Sequence, residues 1–129
     1  MSSVSVLVVE DDPNVRSLIR ILLSGEGYDV VTASDGIAGL TKAAEAPPGL
    51  IVLDVMMPDL GGVRVLERLE ADASLSGVPV LVVTGKVELV PDLRDRVGPD
   101  NVIVKPFGVP ELLDRVHALV GPADADEPA

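Results

Sequence analysis

Glu10, Asp11, Asp12, Asp54, Thr84 and Lys105 are the side chains in this sequence whose types and positions could do chemistry together. All of them close a short apolar run: "VSVLVV" leads into Glu10-Asp11-Asp12, "LIVL" into Asp54, "VPVLVV" into Thr84 and "VIV" into Lys105. An unpaired charge is costly to bury, so a carboxylate at the end of a buried run needs a partner or a task. Carboxylates gathered at one mouth raise one another's pKa, and a hard divalent cation relieves that repulsion. Oxygen ligands without His or Cys favour Mg2+ or another hard ion over zinc. A carboxylate nucleophile at Asp54, a cation, an ammonium group at Lys105 and a hydroxyl at Thr84 suit a transferring phosphoryl group. The positive groups stabilise its oxygens while the carboxylate attacks phosphorus.

These groups meet only if the runs that carry them are neighbouring strands. Five runs read as strands: Val4–Val9, Asp29–Ala33, Leu50–Asp54, Val80–Thr84 and Val102–Val104. They are rich in β-branched residues, and turn residues flank most of them. Helical periodicity fills the gaps. Val15, Leu18, Ile19, Leu22 and Leu23 share one helix face, with Asp12 as N-cap, Pro13 at the first helical position and Gly25 or Gly27 as the stop. A second helix starts near Asp35, includes Ile37, Leu40 and Ala44, and ends before Pro47-Pro48. A third follows Gly61-Gly62 with Val63, Leu66 and Leu69 inward. The last starts near Pro110 and buries Leu112, Leu113, Val116, Leu119 and Val120. Proline inside a helix costs roughly 3 kcal/mol. The fourth helix is therefore expected to start at Pro91 and carry Leu93 and Val97, after a longer loop over Gly85–Val90. Strand–helix alternation of this kind predicts an α/β fold, a parallel sheet with helices on both faces. Such sheets bind ligands beyond the carboxyl ends of their strands, at the switch point in strand order.

Composition narrows the field. At 129 residues the chain suits one domain with its own core, and with no Trp, one Tyr and one Phe that core is aliphatic. The net charge of −11 disfavours direct contact with nucleic acid. Without Cys there are no disulfides, thiolate nucleophiles or thiolate zinc sites. The apolar runs are too short to span a membrane, and "MSSVS" lacks the basic region of a signal peptide, so a cytoplasmic protein is expected. Residues 1–120 are expected to form the domain, and 121–129, "GPADADEPA", an acidic disordered tail.

The stretches "VLVVEDDPNVR", "LIVLDVMMPDLGG", "VLVVTG" and "VIVKPF" together resemble the response-regulator receiver domain of two-component signalling, as in the chemotaxis regulator. The resemblance runs in order over nearly the whole chain up to the tail. It implies a doubly wound, flavodoxin-like (βα)5 sheet in the order 2-1-3-4-5. It implies Asp54 as phosphoacceptor, with Mg2+ held by Asp11, Asp54 and the backbone carbonyl of Met56, and by Glu10 through water. Thr84 would be the switch hydroxyl and Lys105 the phosphate-binding lysine, with a cis peptide bond between Lys105 and Pro106. The donor would be a histidine kinase or phosphotransfer protein. The output would be a changed protein-binding surface on an unknown target, of which a phosphorylation-dependent homodimer is one form. No catalysis is implied beyond the chain's own phosphorylation and dephosphorylation. Val102 departs from the pattern, since an aromatic side chain that moves with the threonine often stands there. Met56 and Lys86 fall at positions that tune phosphate lifetime in the family. The initial Met and untagged end favour a free-standing regulator over one domain of a longer chain.

Plainer roles compete at single positions. Asp54 alone could be a turn cap, Thr84 alone says little, and Asp12 reads better as an N-cap than as a ligand. Asp59 would serve the turn before Gly61-Gly62, whose glycines would supply backbone freedom. His117 reads as a half-exposed surface residue. Two other functions are open. One is a receiver fold that acts as an interaction or dimerisation module without phosphorylation, a reading that Val102 keeps alive. The other is a haloacid-dehalogenase-type phosphatase, which would want a second acid two residues after Asp54, where Met56 stands. A dinucleotide-binding fold is disfavoured because "GEGYDV" follows the first helix and not the first strand.

Overall fold

The computed structural model describes residues 4–57 and 61–122. Its elements are β1 (Ser5–Val9), α1 (Pro13–Gly25), β2 (Asp29–Ala33), α2 (Gly36–Glu45), β3 (Leu50–Asp54), α3 (Gly62–Ala71), β4 (Val80–Thr84), a 3-10 turn (Val87–Leu89), α4 (Val90–Val97), β5 (Val102–Val104) and α5 (Val109–Val120). The strands form one sheet in the order β2-β1-β3-β4-β5, and every pairing is parallel. This is the expected doubly wound, flavodoxin-like α/β fold.

The continuous apolar runs are explained by burial on both faces of the sheet. Alternate residues feed two separate cores. Leu7, Val9, Ile51, Leu53, Val82 and Val102 point to the side covered by α2, α3 and α4. Val6, Val8, Leu50, Val52, Leu81, Val83 and Ile103 point to α1 and α5, where Ile19, Leu23, Leu112 and Val116 meet them. Burying one such aliphatic side chain contributes roughly 1.5–3 kcal/mol. No helix among the described residues is long and apolar enough to cross a membrane.

Asp12 caps α1 by accepting from Asn14 N at 2.8 Å and Val15 N at 3.4 Å, and Pro13 opens the helix. The buried faces of α1 and α3 differ from those read off the periodicity. In α1 the buried residues are Ile19 and Leu23, while Leu18 is 46% exposed on the flank beside Phe107. In α3 the stripe is Val65, Leu66 and Leu69, and Val63 turns outward. In α2 the inward residues are Gly36, Gly39 and Ala43, and Ile37 is exposed. Close approach is the reason: a Cβ on Gly39 would lie 2.8 Å from a Val9 methyl. The expected loop over Gly85–Val90 is shorter than anticipated. The 3-10 turn at Val87–Leu89 runs directly into α4, and Pro91 sits in the first turn, where its missing N–H breaks no helical bond. The expectation for Asp59 lies outside the described residues, and so does that for most of the acidic tail.

Candidate functional site

Parallel strands point all their carboxyl ends the same way, so the residues that close them share one rim. Register aligns them further. Val9 pairs with Leu53, Asp54 with Val83, and Thr84 with Val104. Glu10 and Asp11 follow β1, Asp54 closes β3, Thr84 closes β4 and Lys105 follows β5. Glu10, Asp54 and Thr84 are almost wholly buried, at 1%, 3% and 0% exposure, while Asp11 is half-buried.

The charged side chains meet. Lys105 Nζ lies 2.9 Å from Glu10 Oε1 and 3.4 Å from Asp54 Oδ2. Carboxylate oxygens of Glu10, Asp11 and Asp54 come within 4.8 Å of one another, close enough to share one cation. The other carboxylate oxygens of Glu10 and Asp54 are held by the backbone. Asp12 N donates to Glu10 Oε2 at 3.2 Å, and Met56 N donates to Asp54 Oδ1 at 2.9 Å. Met56 therefore acts on Asp54 through its N–H, while its side chain is exposed. Glu10 also contacts Lys105 directly.

Electrostatics follow from this crowding. Burial pushes the Glu10 carboxyl up to about 7, and the hydrogen bond it shares with Asp54 adds to the rise, while Lys105 works against it. Burial alone would lower the Lys105 pKa, but its hydrogen bond to Glu10 and the field of Asp54 outweigh this and raise it. Lys105 is thus an ammonium ion at neutral pH, and the site is an acid cluster with one built-in cation.

Thr84 stands apart from this network. Its Oγ1 accepts from Lys86 N at 3.0 Å and, among the described residues, makes no hydrogen bond to the side chain of Asp54 or Lys105; the link to Lys105 is through the main chain, where Lys105 N donates to Thr84 O at 2.8 Å. Val102 is buried on β5, packed in the core beneath α4. The Lys105–Pro106 peptide bond is cis. His117 is half-exposed, 3.3 Å from Glu26 and tilted against the ring of Tyr28, far from the site in the fold at the other end of α5.

Two residues of the site have roles that the sequence reading did not give them. Gly62 opens α3 directly against the β3 exit, where a Cβ would lie 2.2 Å from Val55 Cα and 2.8 Å from Asp54 O. Backbone freedom is used at Gly61, with φ +81°, whereas Gly62 is needed for its missing side chain. Arg16 is the second: its Nη1 donates to Glu10 O at 3.0 Å and Asp11 O at 3.3 Å. Its place one turn into a helix that follows an acidic loop was the available signal.

Comparison with known proteins agrees with the geometry. Residues 6–117 match the family model described as the response regulator receiver domain. The chain is 39% identical over 125 residues to the DNA-binding response regulator MtrA of Mycolicibacterium smegmatis, covering 96% of this chain and 53% of that protein. It is 38% identical to the DNA-binding dual master transcriptional regulator RpaA of Synechocystis, covering 92% of this chain and 50% of that one. The chain thus spans about half the length of these relatives. Among solved structures, the chemotaxis protein CheY4 of Vibrio cholerae superposes with a TM-score of 0.83 at 28% identity, covering 92% of this chain and 99% of that one. A CheY-like receiver domain protein of Methanospirillum hungatei gives 0.84 at 26%, covering 98% and 100%.

Proposed function

The chain belongs to the response-regulator receiver family of two-component systems, and from that premise we propose that Asp54 accepts a phosphoryl group from a phosphohistidine donor in a Mg2+-dependent reaction. The observation that carries the reading is Asp54 itself. It is a buried carboxylate at the end of the central strand, 3.4 Å from an ammonium group and beside two further acids. The donor set is all carboxylate oxygen, which fits Mg2+. Asp11 and Asp54, with Glu10, would hold the ion. When bound, it supplies positive charge to the phosphoryl oxygens.

The protein's own groups do the rest. Met56 N–H orients the Asp54 carboxylate, so that one oxygen can attack phosphorus while the P–N bond to the donor imidazole breaks and its electron pair returns to nitrogen. The product is an acyl phosphate on Asp54. Lys105 then pairs with the phosphoryl oxygens in place of Glu10 and Asp54. The Thr84 hydroxyl, held by Lys86 N–H, is the nearest switchable group on the next strand. Beside the mouth lies an apolar groove lined by Val15, Leu18, Lys105, Pro106 and Phe107, a surface suited to a protein donor. The names of the mycobacterial and cyanobacterial relatives include DNA binding; these 129 residues, with a net charge of −11, are themselves unsuited to contact DNA phosphates.

Intact-mass measurement with MgCl2 and a small phosphodonor tests this. One phosphoryl adduct is expected, lost with EDTA and in Asp54→Asn. An adduct that persists in that variant would refute the assignment.

A further inference from the structure

Glu10 and Asp11 stand on irregular backbone between β1 and α1, so their carboxylates are aimed only as well as that backbone is held. Three contacts hold Glu10: its N–H to Ala33 O at 3.1 Å, Asp12 N–H to its Oε2, and Lys105 to its Oε1. One further contact spans both acidic residues. Arg16, half-buried on the first turns of α1, sets a single guanidinium nitrogen between the carbonyls of Glu10 and Asp11. The helix in turn is fixed by its Asp12 cap and by Ile19 and Leu23 in the core. Among the described residues no carboxylate lies within ion-pair distance of Arg16, so its charge is spent on main-chain oxygens and does not compete for the acids.

We propose that Arg16 is a positioning residue for the divalent cation, clamping the main chain of Glu10 and Asp11 so that their carboxylates stay aimed at it. The inference rests on the reading above that Glu10, Asp11 and Asp54 hold Mg2+. It makes a prediction whose sign is opposite to simple electrostatics. Removing a positive charge near an acidic cluster strengthens cation binding by Coulomb's law. Removing the clamp weakens it, as loss of outer-sphere support around a metal site commonly does, by about 10- to 100-fold.

The experiment is calorimetric titration of MgCl2 into the wild-type chain, Arg16→Met and Arg16→Lys, with a thermal melt of each without metal. Arg16→Met is expected to raise the Kd about tenfold. Arg16→Lys keeps the charge but loses the planar donor, and is expected to fall between the two. Unchanged or tighter Mg2+ binding by Arg16→Met overturns the proposal, as does a lowered melting temperature with an unaltered Kd, which marks a purely structural role. Should Arg16→Met fail to fold, Arg16→Lys decides alone, a raised Kd supporting the clamp and a wild-type Kd refuting it. Wild-type protein that binds no Mg2+ refutes the metal reading itself, and is told apart because no variant is then needed to see it.

Discussion

At the scale of the residue, Glu10 carries the sharpest consequence. Its ordinary pKa of 4.5 is raised to about 7 by burial and by Asp54. Between those values the folded chain holds a proton that the unfolded chain has released. Unfolding is then favoured by rising pH, and this group's contribution to stability is lost as pH climbs from 4.5 to about 7. Above that window the cluster is negatively charged and most in need of a cation. Mg2+ is therefore expected to raise the melting temperature more at about pH 8 than at about pH 5, since at the lower pH protons compete for the same oxygens. Melts with and without MgCl2 at the two pH values check this, and equal shifts would count against it.

At the scale of the element, the two glycines at the start of α3 separate two kinds of demand. Gly62→Ala drives a methyl into the backbone of Asp54 and Val55, which cannot yield cheaply. A loss of about 1–3 kcal/mol in urea unfolding is expected, together with slower phosphorylation of Asp54. Gly61→Ala meets open space and suffers only its positive φ. It should cost about 1 kcal/mol and leave the adduct forming normally. Similar adduct rates in the two variants would show that α3 does not set the position of Asp54. The same elements show what a sequence conveys. The strands could be read within one residue because parallel strands buried on both faces are unbroken apolar runs. The meeting of Glu10, Asp11, Asp54 and Lys105 followed from where those runs end. Helix faces were harder. Periodicity fixes an apolar stripe only to within a residue or so, which misplaced Leu18 and Val63. It also looks for bulk, whereas α2 buries glycines to come close to Val9. Gly62 was given the wrong role and Arg16 none for one reason: their partners are main-chain atoms, which every residue has.

Across the whole molecule, segments distant in sequence are tied together. Tyr28 is buried and donates its hydroxyl to Gly121 O at 2.6 Å, joining the root of β2 to the end of α5. Tyr28→Phe removes that bond and is expected to cost about 1 kcal/mol, read as a lower urea midpoint at constant slope. The net charge of −11 acts globally. Self-repulsion weakens the compact state and salt screens it, so added NaCl should raise the melting temperature of the metal-free protein. A fall would mean that local ion pairs outweigh the global field.

The parallel sheet also gives the molecule two rims with different histories ahead of them. Every charged group of the site sits at the carboxyl ends of the strands, and the turns at the amino ends, such as the one around Gly77 before β4, lie across the thickness of the fold from it. A Cβ at Gly77 would touch nothing. The Gly77 turn is thus a place to lengthen the chain or graft a reporter while the opposite rim stays pinned. A sensor of the protein's state would best be inserted there, on the side that the chemistry never sees.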